Sequence, residues 1–322
     1  MDNSMSRRIL ILGMGGLFGA ACARAFRAAG WDVDRYRRGS DMSVAARGAR
    51  WIVNAMNPPA TADLQRELPE LTQAVIAASR NSGASIMVPG NFLIYGRQPA
   101  PWGPDMAAAP VTQRGHLRAE AEARYRDAID RERAIVILRA GDFVMPGARN
   151  TLMNRVILSG LSKGYVTALG PASVPHIHAD LEDMTQIAVS LAETADRHSG
   201  FLEVPYPGAR FSAQDLAAEL EEQLNRKINL RGYHWGTDAL CAPFSVQARQ
   251  MRANRYLYKM PHAVDDTVFR VLFPDHRVKS LQRIVFEHLY FRGMKVVPQG
   301  QAAREAPRLA AHGQAMLTQT IL

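Results

Sequence analysis

The residues with the clearest chemical meaning stand near the start of the chain, in ILGMGGLFGAACARAF. Gly13, Gly15, Gly16 and Gly19 form the patterns Gly-x-Gly and Gly-x-x-Gly-x-x-Gly at the junction of an apolar run and an Ala-rich segment. A glycine-rich turn between a strand and a helix lets backbone N–H groups approach a pyrophosphate, whose charge then sits at the positive end of the helix. Met14, Leu17 and Phe18 lie inside the same turn and count with it as candidate contacts. At the expected end of the second strand stand Arg37 and Arg38. An acid there would hold ribose hydroxyls, whereas two guanidiniums suit a 2′-phosphate. The pattern points to a dinucleotide, with NADP(H) favoured and NAD(H) the other option. In so Arg-rich a chain, the pair also reads as solvated loop arginines.

Such a turn needs a parallel sheet behind it. Strands are expected at Ile9–Leu12, Trp31–Tyr36, Trp51–Ala55 (stopped by Pro58-Pro59), Ser85–Val88 and Ala134–Leu138. Helices are expected at Gly16–Ala29, at Leu64–Arg80 with an interruption at Pro69, and at Ala119–Arg131. Further helices are expected at Asp183–Glu193 and Ala213–Leu224, the last opened by a Ser212/Asp215 capping pair. This alternation predicts an α/β fold: a doubly wound parallel sheet of Rossmann type with a smaller C-terminal substrate lobe. Residues 1–150 form the dinucleotide domain, with 175–195 returning to it, and 151–322 mainly the smaller lobe. Only RGSDMSVAARGAR joins the second and third strands, so one edge strand is expected to be missing and the adenine end of the pocket to be open. The tail after Pro298 is polar and Ala-rich and is expected to be loosely docked.

Taken in order, these segments resemble the extended and atypical short-chain dehydrogenase/reductases, the NAD-dependent epimerase/dehydratase relatives. Gly13-x-x-Gly16-x-x-Gly19 is the specific part. Asn54-Ala55 (with Met56 beside it) resembles the family's Asn-Ala-Ala turn, and Ile94-Tyr95-Gly96 its Val-Tyr-Gly. Leu138 to Phe143 with Pro146-Gly147 resembles its Leu-Arg-Pro-Gly run. Asp183-Met184 and PHAVDDTVFRVLFP (Pro261 to Pro274) resemble late segments. The resemblance implies a catalytic Ser or Thr and a Tyr-x-x-x-Lys pair. Here the serine position falls on Asn91, the tyrosine position on Arg114 and the lysine position on Arg118, with Glu122 following; no Tyr-x-x-x-Lys occurs anywhere. Arginine is a donor only and stays protonated, so it cannot replace a tyrosine acid/base. Arg118 can still bond the ribose, and Asn91 can orient a carbonyl or hydroxyl. The resemblance makes Tyr95 the best substitute for proton transfer; packing under a loop is its alternative. His116, between the arginines, has a suitable pKa range but reads as solvent-facing.

Other groups invite weaker readings. His176 and His178 share a strand face near Asp180, but no third zinc ligand is evident, and no metal is expected. Tyr233, His234 and Trp235 either line a pocket or close the lobe. FEHLYFRG (Phe286 to Gly293) reads as core packing of a late helix rather than a membrane contact. The net charge of +9 comes mostly from dispersed arginines, and no nucleic-acid motif accompanies it. Two distant cysteines, Cys22 and Cys241, do not make a disulfide framework, and the first apolar run is too short for a membrane span or a cleaved leader. A cytoplasmic protein with a small-molecule substrate is expected, with no nucleic-acid partner and no integral membrane segment; a homodimer is left open. Two functions fit: an NADP(H)-dependent oxidoreductase or epimerase acting on a small polar, sugar- or carbonyl-type substrate, or a non-catalytic NADP(H)-binding sensor or assembly protein.

Overall fold

In a computed structural model, residues 7–58, 63–129, 133–194 and 200–296 are described. The first half alternates as expected: β1 (Arg8–Leu12), α1 (Leu17–Ala28), β2 (Asp32–Arg35), α2 (Met42–Ala45), β3 (Trp51–Asn54), α3 (Leu64–Ser82), β4 (Ser85–Gly90), α4 (Gln113–Asp127) and β5 (Ala134–Arg139). Then come β6 (Asp142–Val144), β7 (Tyr165–Ala168), β8 (His176–Asp180), α5 (Leu181–Glu193), β9 (Gly200–Pro205), β10 (Ala209–Phe211), α6 (Ala213–Leu224) and β11 (Asn229–Gly232). Last are α7 (Trp235–Cys241), α8 (Val246–Asn254), α9 (Thr267–Leu272) and α10 (Leu281–Phe291).

The main sheet runs β2-β1-β3-β4-β5-β9, with every pairing parallel. Both faces of its inner part are covered, which is why β1, β3 and β5 read as largely apolar runs, while the edge strand β2 (DVDR) does not. Ile9 and Ile11 of β1 face the core shared with α1 and α5, while Leu10 and Leu12 face the one under α3. Trp51 and Val53 follow the first pattern, Ile52 the second. No strand lies outside β2 among the described residues; the short link there holds only the single turn α2, capped by Asp41.

Two helix expectations are corrected. Helix α3 runs through Pro69 without a break. The missing N–H at Pro69 frees only the carbonyl of Gln65 in the first turn, where the exposed backbone can be hydrated. Helix α4 begins at Gln113, six residues before Ala119, because the Thr112 hydroxyl accepts from Gly115 N at 3.1 Å. Gly115 is there for close approach: a Cβ would stand 2.8 Å from the Leu93 carbonyl oxygen. The helix ends at Asp127, and the expected end at Arg131 lies outside the described residues, as do Pro59 and the tail after Pro298.

Beyond β5 a second core gathers Val144, Val166, Phe211, Leu216, Tyr258, Ile284 and Leu289. A three-stranded sheet, β10-β8-β6, and the parallel pair β11-β7 frame it. Helix α6 has the full capping box, with Ser212 and Asp215 bonding each other's backbone N–H. Helix α10 buries Phe286, His288 and Leu289, so the FEHLYFRG stretch is core packing. Helix α5 packs on α1, and β9 adds the sixth strand of the main sheet beside β5.

Candidate functional site

The four glycines of the first turn divide into two kinds. Gly13 has φ +78°, and a Cβ there would meet the Ala55 carbonyl oxygen at 2.6 Å. A Cβ on Gly19 would stand 2.3 Å from the Gly13 carbonyl oxygen. These two are required by the backbone itself. Gly15 and Gly16 are not: a Cβ on Gly15 meets nothing within 4 Å, and one on Gly16 meets only an ordinary 3.4 Å contact. Both are exposed. Gly16 is the N-cap of α1 and offers no side-chain acceptor, and no acid stands in the helix's first turn. The first N–H groups of a 12-residue helix are therefore left to whatever occupies the space in front of them.

That space is a cleft of about 940 Å³. Its walls are Gly13, Met14, Gly15 and Gly16 from the turn; Arg35, Tyr36, Arg37 and Arg38 from the end of β2; and Ala55, Met56 and Asn57 beyond β3. Arg37 is exposed, and its guanidinium makes no hydrogen bond or ion pair among the described residues. Arg38 donates to the Asn57 carbonyl at 3.2 Å. The remaining expected contacts act from behind the surface. Leu17 packs on the core, Phe18 is buried and stacks on Phe143 at 6.0 Å, and Gly19 is sealed under Gly13. Asn54 is buried; it donates to the Tyr125 hydroxyl at 3.0 Å and accepts from Met56 N at 3.2 Å, shaping the turn rather than lining the cleft. Arg35, Tyr36 and Asn57 were not anticipated. The first two adjoin the expected arginines, and Asn57 sits in a loop with no pattern to mark it.

The positions expected to carry chemistry lie at the carboxyl end of β4 and on α4. Asn91 spends its side-chain oxygen capping a short 3-10 turn, accepting from Leu93 N at 2.9 Å. Arg118 donates to the side-chain oxygen of Asn57 and so reaches the cleft wall. Arg114 makes no hydrogen bond or ion pair among the described residues, although it is half-buried. Burial lowers both guanidinium pKa values, and Arg114 lowers that of Arg118 further. His116 between them is exposed.

Tyr95 requires a correction. Its ring is wholly buried and stacks on Trp102 at 5.8 Å, while its hydroxyl donates to Glu203 Oε1 at 2.7 Å. Arg139, also wholly buried, lies under the ring at 5.2 Å. It donates to Glu203 and Glu122, each at 2.6 Å, and to the Asn91 carbonyl at 2.7 Å. Burial pushes the phenol far above its ordinary range; the charge of Arg139 opposes this and that of Glu203 adds to it. Burial also raises Glu203, but its bond to Arg139 more than offsets the rise and holds the carboxyl low. Tyr95 is thus a strut in a buried ion network, closed to solvent, and not a free acid/base.

Asp142, the first residue of β6, is a group the sequence reading passed over. It makes no hydrogen bond or ion pair among the described residues, and burial raises its carboxyl to about 6. The histidine strand resolves into packing: His178 stacks on Phe211 at 4.1 Å, His176 faces His262 at 4.6 Å, and Asp180 caps α5 and pairs with Lys279 at 2.7 Å. Burial lowers His176 to about 4 and His178 to about 3. Among the described residues no group of three or more His, Cys, Asp or Glu side chains is arranged to hold a metal. Tyr233 and Trp235 pack on the second core and on each other at 4.8 Å, while His234 is exposed. No helix among the described residues is long and apolar enough to cross a membrane.

Among solved structures the chain is similar to MoeE5 in complex with UDP-glucose and NAD, with TM-score 0.70 and 14% identity over 89% of this chain and 98% of that one. It is similar to a UDP-glucuronic acid 4-epimerase from Bacillus cereus in complex with NAD, with TM-score 0.69 and 15% identity over 88% and 96% of the two chains. A putative epimerase from Burkholderia cenocepacia J2315 gives TM-score 0.68 and 18% identity over 89% and 99%. The fold is that of the epimerase/dehydratase-type short-chain dehydrogenase/reductases. No protein-family model and no curated protein sequence matches the chain, and at these identities the likeness carries the fold alone.

Proposed function

We propose that this chain is an epimerase/dehydratase-like protein that binds a nicotinamide dinucleotide in the glycine-lined cleft, prefers the phosphorylated form, and acts on a small polar substrate of sugar or carbonyl type. The observation that carries the reading is the division of the glycines. Gly15 and Gly16 lack side chains where the protein has room for them, in front of helix N–H groups that no side chain caps. A pyrophosphate explains both facts. The solved structures of similar fold that hold NAD support the choice of ligand.

Within this reading the N–H groups of the first turn of α1 take the pyrophosphate, and Arg37 and Arg38 take a 2′-phosphate through bidentate, charge-assisted bonds. Asn57 joins the two sides of the cleft, since Arg38 holds its carbonyl and Arg118 its side chain. When bound, the nicotinamide ring supplies hydride transfer. For proton transfer this reading takes Asp142, whose carboxyl is raised by burial to about 6 and which opens β6 three residues past the end of β5, outside the residues that line the cleft. The core beyond residue 150 supplies the lobe that closes over a substrate.

A second reading, a dinucleotide-binding protein without turnover, is favoured by one observation: Tyr95 is sealed on Glu203 and the two positions on α4 hold arginines. Screening carbonyl and sugar-nucleotide substrates with NADPH separates the two. Turnover that Asp142→Asn abolishes without loss of cofactor affinity supports the enzyme. Tight NADPH binding with no turnover on any substrate supports the second reading.

A further inference from the structure

Arg114 and Arg118 stand four residues apart on α4 and therefore share one face of it, one turn from the next. Both are half-buried. Burying like charges side by side costs free energy unless an anion answers them. Among the described residues neither guanidinium has a carboxylate partner; the charge of Glu122 acts on Arg118 but does not offset its burial and the charge of Arg114. Arg118 has a single neutral acceptor, the Asn57 side chain, and Arg114 has no partner among the described residues. The nearest carboxylate on the same helix, Glu122, lies a further turn along. Its two oxygens are already held by Arg139, at 2.6 and 3.3 Å. The first turn of α4 contains no acid, so the helix end adds to the positive potential rather than offsetting it. Through Asn57 Arg118 adjoins the cleft wall, and Arg114 stands one turn back on the same helix.

We infer that Arg114 and Arg118 form a receptor for the oxyanion group, carboxylate or phosphate, of a small ligand seated beside the dinucleotide at the α4 rim of the cleft. Two planar guanidinium forks with unused donors match such a group and match little else. A neutral sugar or ketone would leave both charges unanswered. The substrate class of the site is thereby narrowed to acids and phosphate esters. The inference rests on the dinucleotide reading only in where it seats the ligand; two guanidiniums without a carboxylate partner among the described residues stand without it.

The test is calorimetric titration of oxalate and of inorganic phosphate, at fixed ionic strength, into the full chain alone and saturated with NADPH. At least one of the two anions is expected to bind in both states. Arg114→Gln and Arg118→Gln should each weaken that binding by about 10-fold or more, the size of a lost charge-assisted contact, and Arg114→Lys by less. NADPH affinity should change by no more than about twofold in Arg114→Gln, far less than a lost phosphate contact would give. Melting curves establish that each variant is folded, and either glutamine variant decides the matter if the other is not. Failure of both anions to bind the wild type, or equal binding in the variants, overturns the inference. Loss of anion binding on NADPH saturation also overturns it, since the arginines would then serve the dinucleotide's own phosphates. If NADPH itself does not bind, the dinucleotide reading falls, and the oxalate and phosphate titrations of the chain alone still decide the arginine pair.

Discussion

Replacing Gly15 and Gly19 separately by alanine should split binding from stability. In Gly19→Ala the new methyl would lie 2.3 Å from the Gly13 carbonyl oxygen and 2.8 Å from its carbon. To restore ordinary contact the carbonyl must retreat by about 1 Å. It cannot move freely, because it also accepts from Gly16 N at 2.9 Å and so closes the turn. Overpacking of this kind costs about 1–3 kcal/mol. In Gly15→Ala the methyl meets no protein atom within 4 Å, and the backbone there is not left-handed. Stability should hold, or rise by about 0.4–1 kcal/mol through the loss of unfolded-state freedom. Its cost appears in binding instead. A methyl between the turn and a pyrophosphate removes at least one charge-assisted bond of about 1.5–3 kcal/mol, hence about a tenfold or greater loss of NADPH affinity. Chemical denaturation and calorimetry on the same preparations read the two effects. A Gly15→Ala protein that binds NADPH as tightly as the wild type, or a Gly19→Ala protein of unchanged stability, refutes the division of the glycines.

Tyr95→Phe should lower stability by about 1.5–3 kcal/mol, the value of a hydrogen bond to a charged acceptor, with NADPH affinity unchanged; a variant of wild-type stability that loses turnover would restore Tyr95 as the proton carrier. Asp142 holds its proton more tightly folded than unfolded, so its contribution to stability is full below about pH 4 and is lost as pH rises through about 6. Asp142→Asn should therefore flatten the fall in stability across that window; denaturation curves with the same slope as wild type between pH 4 and 6 contradict the assignment. Arg37→Asp should weaken NADPH by about tenfold or more while leaving NADH nearly unchanged, and equal losses for both nucleotides would show a general electrostatic effect instead.

Much of the fold is legible from residue pattern because the central strands are buried on both sides. RILIL and AIVILR can hardly be read otherwise, and the glycines between the first strand and helix mark the turn. The sequence hides what depends on distant partners. GFLEVP reads poorly as a strand of the main sheet because it carries Glu203, an acid made tolerable by Arg139, 64 residues away in the chain, and by the Tyr95 hydroxyl. The same partnership removes Tyr95 from solvent, so a tyrosine that reads as a free acid/base is a buried donor. Pro110 before α4 and Gly115 in its first turn look like helix breakers, yet Thr112 caps the helix between them. Asn57 has no motif at all; its place is visible only once Arg38 and Arg118 are seen to meet on it.

The most direct test of the central claim is calorimetric titration of the unmodified chain with NADPH and, separately, with NADH. Saturable one-to-one binding of NADPH is predicted, with NADH weaker by about tenfold or more, as expected of a lost 2′-phosphate contact to Arg37 and Arg38. Absence of binding by both nucleotides would contradict the assignment of the glycine-lined cleft.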